Sequence, residues 1–302
     1  MVGPPASAAA TAAASAECEV RTLHSAEQMH QAAALLASIW LPDGRGEAPV
    51  EAGMLVALEH AGNYVAAAFA GEHLGTPEQM VGATVGFLGA RESPAGRSHL
   101  MHSHLAGVLP GFTGRGIGAA MKQHQRAWCL ERGISLMEWT FDPLIARNAR
   151  FNLHKLGAGL SEYLPDFYGE MRDGINAGQG SDRALVSWSL PAPQPGQEPD
   201  CAIEQPLVLL QITDDAAPLT PVREDDVVAA AAGARTVALR IPQDIEAMRA
   251  ADPGLAAQWR TALRETMHPL MSAGWVVAGI SREGQYLLRA PAAENQSPES
   301  RG

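Results

Sequence analysis

Three cysteines stand in a chain of 302 residues: Cys18, Cys129 and Cys201. They lie far apart and form no CxxC pair, so the sequence suggests neither a disulfide framework nor a cysteine zinc site. Free thiols in a reducing compartment are the plain expectation. Basic side chains are also scarce, 22 Lys and Arg against 33 Asp and Glu, a net charge of −11. A phosphate backbone needs a basic field, which argues against nucleic acid as a partner. An anionic small ligand must instead be held locally, by backbone amides and a few arginines. No stretch reaches the ~20 continuous apolar residues of a membrane helix, so no membrane partner is expected. The opening MVGPPASAAATAAASAE has no basic start and no Leu/Val-rich core. It reads as a loose alanine-rich tail over residues 1–17 rather than a signal peptide, and the expected compartment is the cytoplasm.

Apolar residues make up 46% of the chain, enough for a real core in one large domain or two modest ones. After the tail, EVRTLHS reads as a strand entering a helix, with Ser25 and Gln28 spaced as a capping box. LPDGRGEAPVEAG is a loop. NYVAAAFAG, MVGATVGFLGA and HLMHSHLAGVL are three strands bounded by turn residues. IGAAMKQHQRAWCLERG places Ile117, Ala120, Met121, Ala127 and Trp128 on one helical stripe, with Gly133 as its stop. SLMEWTFDP is a strand, ARNARFNLHKLG a short helix ending at Gly157, and ALVSWSL a closing strand. PAPQPGQEPD has the composition of a linker, placed at 191–205. Beyond it PLVLLQI and RTVALRIP read as strands, DPGLAAQWRTALRETMHPLMSAG as an amphipathic helix, and WVVAGISREGQYLLR as a hairpin turning at Glu283 and Gly284. This second part, 206–290, is a smaller α+β subdomain suited to a lid, a homodimer surface or a degenerate half of the first; 291–302 is a loose tail.

The stretch VLPGFTGRGIGAAMKQ crowds Gly111, Gly114, Gly116 and Gly118 between a strand and a helix. Glycine lets backbone amides approach a ligand closely, and a helix start offers unpaired N–H groups suited to phosphate. A glycine turn that only tightens packing is the competing reading. A dinucleotide fingerprint fails because its third glycine falls on Ala119, and no Gly-Lys-Ser/Thr supports a Walker loop.

The run V-x-P-x-x-x-G-x-G-x-G resembles motif A of the GCN5-related N-acetyltransferases (GNAT), and NARFNLHKLG is similar to the helix after that family's fifth strand. The resemblance covers 18–190. It implies a mixed, mostly antiparallel twisted sheet flanked by helices, and a loop whose amides hold the pyrophosphate of an acyl-coenzyme A, acetyl-CoA or another such as succinyl-CoA. Carried over, the coenzyme positions are Val108, Thr113, Gly114, Arg115, Gly116, Ile117, Gly118, Ala119 and Asn148; Asn152, on the same helix, is a further candidate or a surface residue. Thr113 replaces the usual Gln or Arg. Leu153 replaces the usual tyrosine, which reprotonates the thiol. FDPLxxxNAxFNxxKLG, followed by YxxxxYGxMxD and SDR, resembles an acyltransferase subgroup with a C-terminal extension, linked to N-acylation of amino acids.

Acyl transfer to an amine requires a neutral amine, a stabilised oxyanion and a proton for the leaving thiolate. Unpaired strand amides near Leu105–Val108 suit the oxyanion, with a bulge expected at Ala106-Gly107. His102 and His104 point to one face of their strand; His104 is the candidate base and His102 a substrate contact, a hydrogen-bonded histidine pair being the alternative. With no third ligand in sight, no metal is expected. Glu138 can act as base or hold a substrate ammonium. Asp142 does the same or caps the turn before Pro143. Tyr168 is the candidate acid, preferred to Tyr163. Asp182 and Arg183 either pair with each other or face the cleft, where Arg183 would fork a carboxylate. The expected acceptor is a small-molecule amine, an amino acid included; a non-catalytic acyl-coenzyme A sensor and a protein acetyltransferase are the alternatives.

Overall fold

The computed structural model describes residues 5–41, 43–44, 46–70, 79–93, 96–169, 180–192, 205–220 and 222–291. The first half runs α1 (Pro5–Ser15), β1 (Glu19–Thr22), α2 (Ala26–Trp40), α3 (Ala52–His60), β2 (Tyr64–Ala70), β3 (Gln79–Ser93), β4 (Gly96–Val108), α4 (Ile117–Glu131), β5 (Leu136–Phe141), α5 (Ala146–Arg150), β6 (Gly159–Leu164) and β7 (Arg183–Ser189). The second half runs β8 (Leu207–Ile212), β9 (Pro218–Leu219), α6 (Val227–Ala230), β10 (Thr236–Arg240), α7 (Ile245–Ala251), α8 (Pro253–Ser272), β11 (Val276–Ile280) and β12 (Gln285–Arg289). Most of the 191–205 linker and all but one residue of the 291–302 tail lie outside the described residues.

Seven strands form the first sheet in the order β1-β2-β3-β4-β5-β7-β6. Every neighbouring pair is antiparallel except β4 and β5, which run parallel. Period-two alternation sends Val65, Ala67, Phe69, Ala83 and Val85 to one face, where α2 covers them with Met29, Ala32, Leu35 and Leu36. Helix α2 starts at Ser25 because that side chain accepts from the Gln28 amide while the Gln28 side chain takes the Ser25 amide. The opposite face carries Ala68 and Val81 against Ile117, Ala120 and Met121 of α4.

The alanine-rich opening is not a loose tail. Residues 5–15 form α1, whose Ala12 and Ala13, with Ala16 just after it, pack against the Ile117–Met121 turn of α4. Alanine has the highest helix propensity, and small side chains let two helices lie close, so this low-amphipathicity stretch finds its partner only in the fold. Two elements had no legible period. In α3 only Leu55 is buried. In β6 the register slips at Ser161, between Leu160–Val186 and Glu162–Leu185, which breaks the alternation a strand normally shows.

The second sheet is five-stranded, β11-β12-β10-β8-β9. One continuous hydrophobic cluster joins both halves: Trp139, Phe141, Val186 and Trp188 meet Leu239, Trp259, Leu263, Tyr286 and Leu288. No described helix is long and apolar enough to cross a membrane.

Candidate functional site

β4 and β5 are joined by only two rungs, Met101–Met137 and His102–Glu138. Past those residues the strands part. β4 continues to Val108 paired with β3 alone, and β5 continues to Phe141 paired with β7 alone. The β5-facing edge of β4 from Ser103 onward therefore has no strand partner, leaving a wedge whose wall is unpaired backbone amide and carbonyl. Register sharpens the cause. Val85 opposes Leu105 and Gly86 opposes Ser103, so His104 is the extra, bulged residue. The bulge expected at Ala106-Gly107 thus falls two residues earlier. Gly107 is glycine for another reason: a Cβ there would lie 2.6 Å from the Trp40 ring and 2.9 Å from Ile39 of α2.

At the wedge's far end β4 runs into the glycine-rich turn. Gly114 (φ +79°) and Gly116 (φ +90°) occupy the left-handed region, Gly116 as the N-cap of α4. No side chain caps this helix, so the first-turn amides of Ile117, Gly118 and Ala119 have no intrahelical acceptor. Open space surrounds Gly114 and Gly118, where an added Cβ would meet no atom within 4 Å. A diphosphate fits this set: exposed amides, a helix start and the exposed Arg115, whose guanidinium sits 5.0 Å from the Phe112 ring. Ile117 and Ala119 bury their side chains, so only their backbone can serve a ligand. Thr113 spends its hydroxyl on Pro110 O, 2.9 Å away. Val108 is half-buried, and Asn148 is half-buried with no side-chain hydrogen bond in the described structure. Ala16 of the segment after α1 closes one side of the turn, 3.6 Å from the position of a Gly116 Cβ.

On the α2-side face, the expected acid–base groups collect across the diverging strands. Phe87, His102 and Glu138 follow one another across β3, β4 and β5. The Phe87 ring lies 4.9 Å from His102 and 5.7 Å from His104, and the two imidazoles are 6.0 Å apart. Burial lowers the pKa of both histidines, His102 further through its neighbour His104 and then Lys122, so both are neutral proton acceptors near neutral pH. Glu138 is buried; Oε2 accepts from Arg91 at 2.9 Å, while Oε1 is enclosed with no hydrogen-bond partner among the described residues. Burial raises the Glu138 pKa, against the lowering by Arg91 and with help from Glu162. Thr140, next on that face of β5, meets the hydroxyl of the exposed Tyr168 at 3.1 Å. The Arg183 guanidinium lies 5.3 Å from the Tyr168 ring and donates to the Asp182 carbonyl at 2.8 Å.

Three expected site residues are taken up by the fold instead. Asp142 is buried and forked by Arg260 at 2.7 Å to each oxygen; Arg249 also reaches Oδ2, and Oδ1 accepts the Leu144 amide at 3.0 Å. These cations drive its carboxyl far below the usual range despite burial. Arg183 reaches the Asp182 main chain, and the Asp182 carboxylate turns to other partners. That carboxylate accepts from Tyr163 Oη at 2.7 Å, the Asp166 amide at 3.1 Å and Arg264. Asp142 anchors α7 and α8 to the first sheet, Asp182 anchors α8, and neither has capacity left for substrate. Asn152 is buried and accepts from Trp139 Nε1 at 3.3 Å, so it is neither a surface nor a coenzyme residue. Tyr163 is a core tyrosine, as its bond to Asp182 shows. Arg147 pairs with Glu246 of α7.

Ser103, Lys122 and Gln125 are buried polar groups on the α4 side of the wedge. Lys122 shares a helical row with Gly118, Gln125 and Cys129, and a wheel of α4 alone would have set it beside buried positions. The three clamping arginines of α7 and α8 carried no local signal. A separate cleft of about 870 Å³ lies between α1, β1 and the C-terminal half of α4, away from the wedge.

No protein-family model and no curated protein matches the sequence. Three of the solved structures it resembles in part are described as acetyltransferases. Arabidopsis thaliana Naa50, in complex with a bisubstrate analogue, is 17% identical over 57% of this chain and 99% of that one, with a TM-score of 0.41. A protein assigned to the GNAT-family acetyltransferases from Desulfovibrio desulfuricans is 18% identical over 57% and 99%, also at 0.41. yncA of Salmonella typhimurium, with its cofactor acetyl-CoA, is 15% identical over 58% and 94%, at 0.43.

Proposed function

We propose that the chain is an acyl-coenzyme A-dependent N-acyltransferase acting on a small amine. The observation that supports this most is the coincidence of two features on one strand. β4 loses its β5 partner after His102 and then delivers the chain to an uncapped, glycine-lined helix start. The loop amides of 114–119, with Arg115, would hold a diphosphate. The free edge of β4 would line the extended arm that leads from it. The thioester supplies an activated acyl group.

The remaining chemistry belongs to the protein. Free amides on the β4 edge face the charge that develops on the acyl oxygen. Glu138, with Oε1 unpartnered in a buried setting, receives the acceptor's ammonium group, and a buried acceptor of this kind costs stability unless a ligand pairs it. His104, in the neutral state that burial favours, takes one proton from the bound ammonium, passes it to solvent, and takes the second as the neutral nitrogen attacks, directly or through one water. Its exposed bulge position keeps it open to solvent for return of each proton. Amino acids and succinyl-CoA are worth testing beside simple amines and acetyl-CoA, because a carboxylate near Tyr168 would meet the guanidinium of the buried Arg183.

The test follows thiol release from acetyl- and succinyl-coenzyme A in the presence of amine and amino-acid panels, alongside calorimetric binding of each coenzyme. Release that depends on an amine supports the enzyme. Tight coenzyme binding with no release for any amine supports the sensor reading, and absence of binding sinks both.

A further inference from the structure

The α4 side of the wedge holds a cation with no counter-ion. Lys122 projects from the second turn of α4 and is 95% buried, at 5% relative exposure. Its Nζ donates to Ser103 Oγ at 2.8 Å and lies 3.7 Å from the centroid of the Trp139 ring. Ser103 and Trp139 are the first residues of β4 and β5 beyond the last rung between them. The ammonium therefore spans the point where the two strands separate. It does so on the face opposite His102, His104 and Glu138.

No carboxylate of the described structure pairs with it. Ser103 Oγ passes its own proton to Gln125 Oε1 at 2.8 Å, so the hydroxyl offers Lys122 only a lone pair. The titratable groups that interact with Lys122 are His102 across β4 and Cys129 two turns along α4. Burial pushes the Cys129 thiol up to about 12, so it stays neutral while the lysine titrates and supplies no charge. Desolvation then brings the Lys122 ammonium down to about 7. A lysine kept only for packing has no need of its charge here, and a buried unpaired ammonium is costly.

We infer that Lys122 is the cation that receives the leaving thiolate. This rests on the acyltransfer reading above. As the amine nitrogen bonds to the acyl carbon, the carbon–sulfur pair stays on sulfur, and the Lys122 ammonium holds the resulting thiolate. The amine's proton leaves to His104 on the other face and from there to solvent. The sheet thus separates the two charges, base on the α2 side and cation on the α4 side. Leu153, on the helical turn that follows α5, packs into the shared core and offers no proton.

The experiment needs no acceptor. The ultraviolet thiolate absorbance of coenzyme A bound to the full chain is titrated with pH, for wild type and for Lys122→Met, a change of similar size that removes the charge together with its hydrogen bond to Ser103. A neighbouring ammonium favours thiolate, so the wild-type midpoint should lie at least about one pH unit below that of the variant, a tenfold difference in thiolate fraction. The Met variant should melt no lower than wild type, since it relieves a buried charge; Lys122→Gln is read the same way should Met fail to fold. Equal midpoints with coenzyme A bound to both proteins overturn the role of Lys122 and leave the acyltransfer reading standing. Failure of wild type to bind coenzyme A overturns both.

Discussion

Replacing Asp142 by Asn keeps the shape of the side chain and removes its charge from beneath two guanidiniums. In the native protein Arg260 forks both oxygens at 2.7 Å and Arg249 adds a third bond. The three side chains are 4%, 5% and 8% exposed for Asp142, Arg260 and Arg249. Breaking one partner of a buried ion pair costs about 3–5 kcal/mol, because the remaining charge is left desolvated. Here two cations lose one anion, and the amide NH₂ of the substituted side chain would point a donor at donors, so the upper half of that range applies. At about 2–4 °C per kcal/mol the melting temperature should fall by roughly 8–20 °C. The loss should appear as one transition, since the cluster that contains Trp139 and Trp188 also contains Trp259 and Trp275 of the second half. Urea unfolding followed by tryptophan fluorescence measures it. Acid adds a second readout. The folded carboxyl is depressed, so its stabilisation is present above the unfolded value of about 3.9 and is lost as pH falls below it towards the folded value. The Asp142→Asn variant should lose much of that acid dependence. A variant within about 1 kcal/mol of wild type would refute the clamp as a determinant of stability.

Gly116→Val forces a β-branched residue to φ +90° at the helix start and should weaken acetyl-coenzyme A binding at least about tenfold by calorimetry, with a stability cost of about 1–3 kcal/mol. In His104→Ala the rate at saturating substrates should fall and the acid limb of its pH profile flatten; in wild type that limb lies below the ordinary imidazole value of about 6.5, because burial lowers the pKa. Gly86→Ala would place a Cβ 2.6 Å from Met101 Sδ and 2.7 Å from Gln125 Nε2, beside the bulge, and should destabilise by about 1–3 kcal/mol in thermal unfolding.

Local chemistry made the glycine-rich end of the wedge legible. A proline, closely spaced glycines and an amphipathic run after a strand can fold in few other ways, and Gly114 and Gly116 do take the positive φ that only glycine adopts freely. The capping box at Ser25, the stripe on α4 and the hairpin at Gly284 were readable for the same reason: each is closed by residues near one another in sequence. Period two also placed His102 and His104 on one face.

Contacts that span the chain were not readable. Asp142 meets Arg260 across 118 residues and Asp182 meets Arg264 across 82, and no pattern near either aspartate distinguishes a clamp from a substrate contact. Asn152 looked available until Trp139 turned its indole N–H towards it. The alanine helix had no face to betray it until α4 supplied one. Sequence alone determined where an uncapped helix start meets a glycine turn, because backbone conformation and helix ends are local properties. Only the tertiary structure decided which charges are free to act, since the desolvation and pairing that shift a pKa are set by neighbours brought from distant parts of the chain. Glu138 and Lys122 emerged on opposite faces of one wedge in this way.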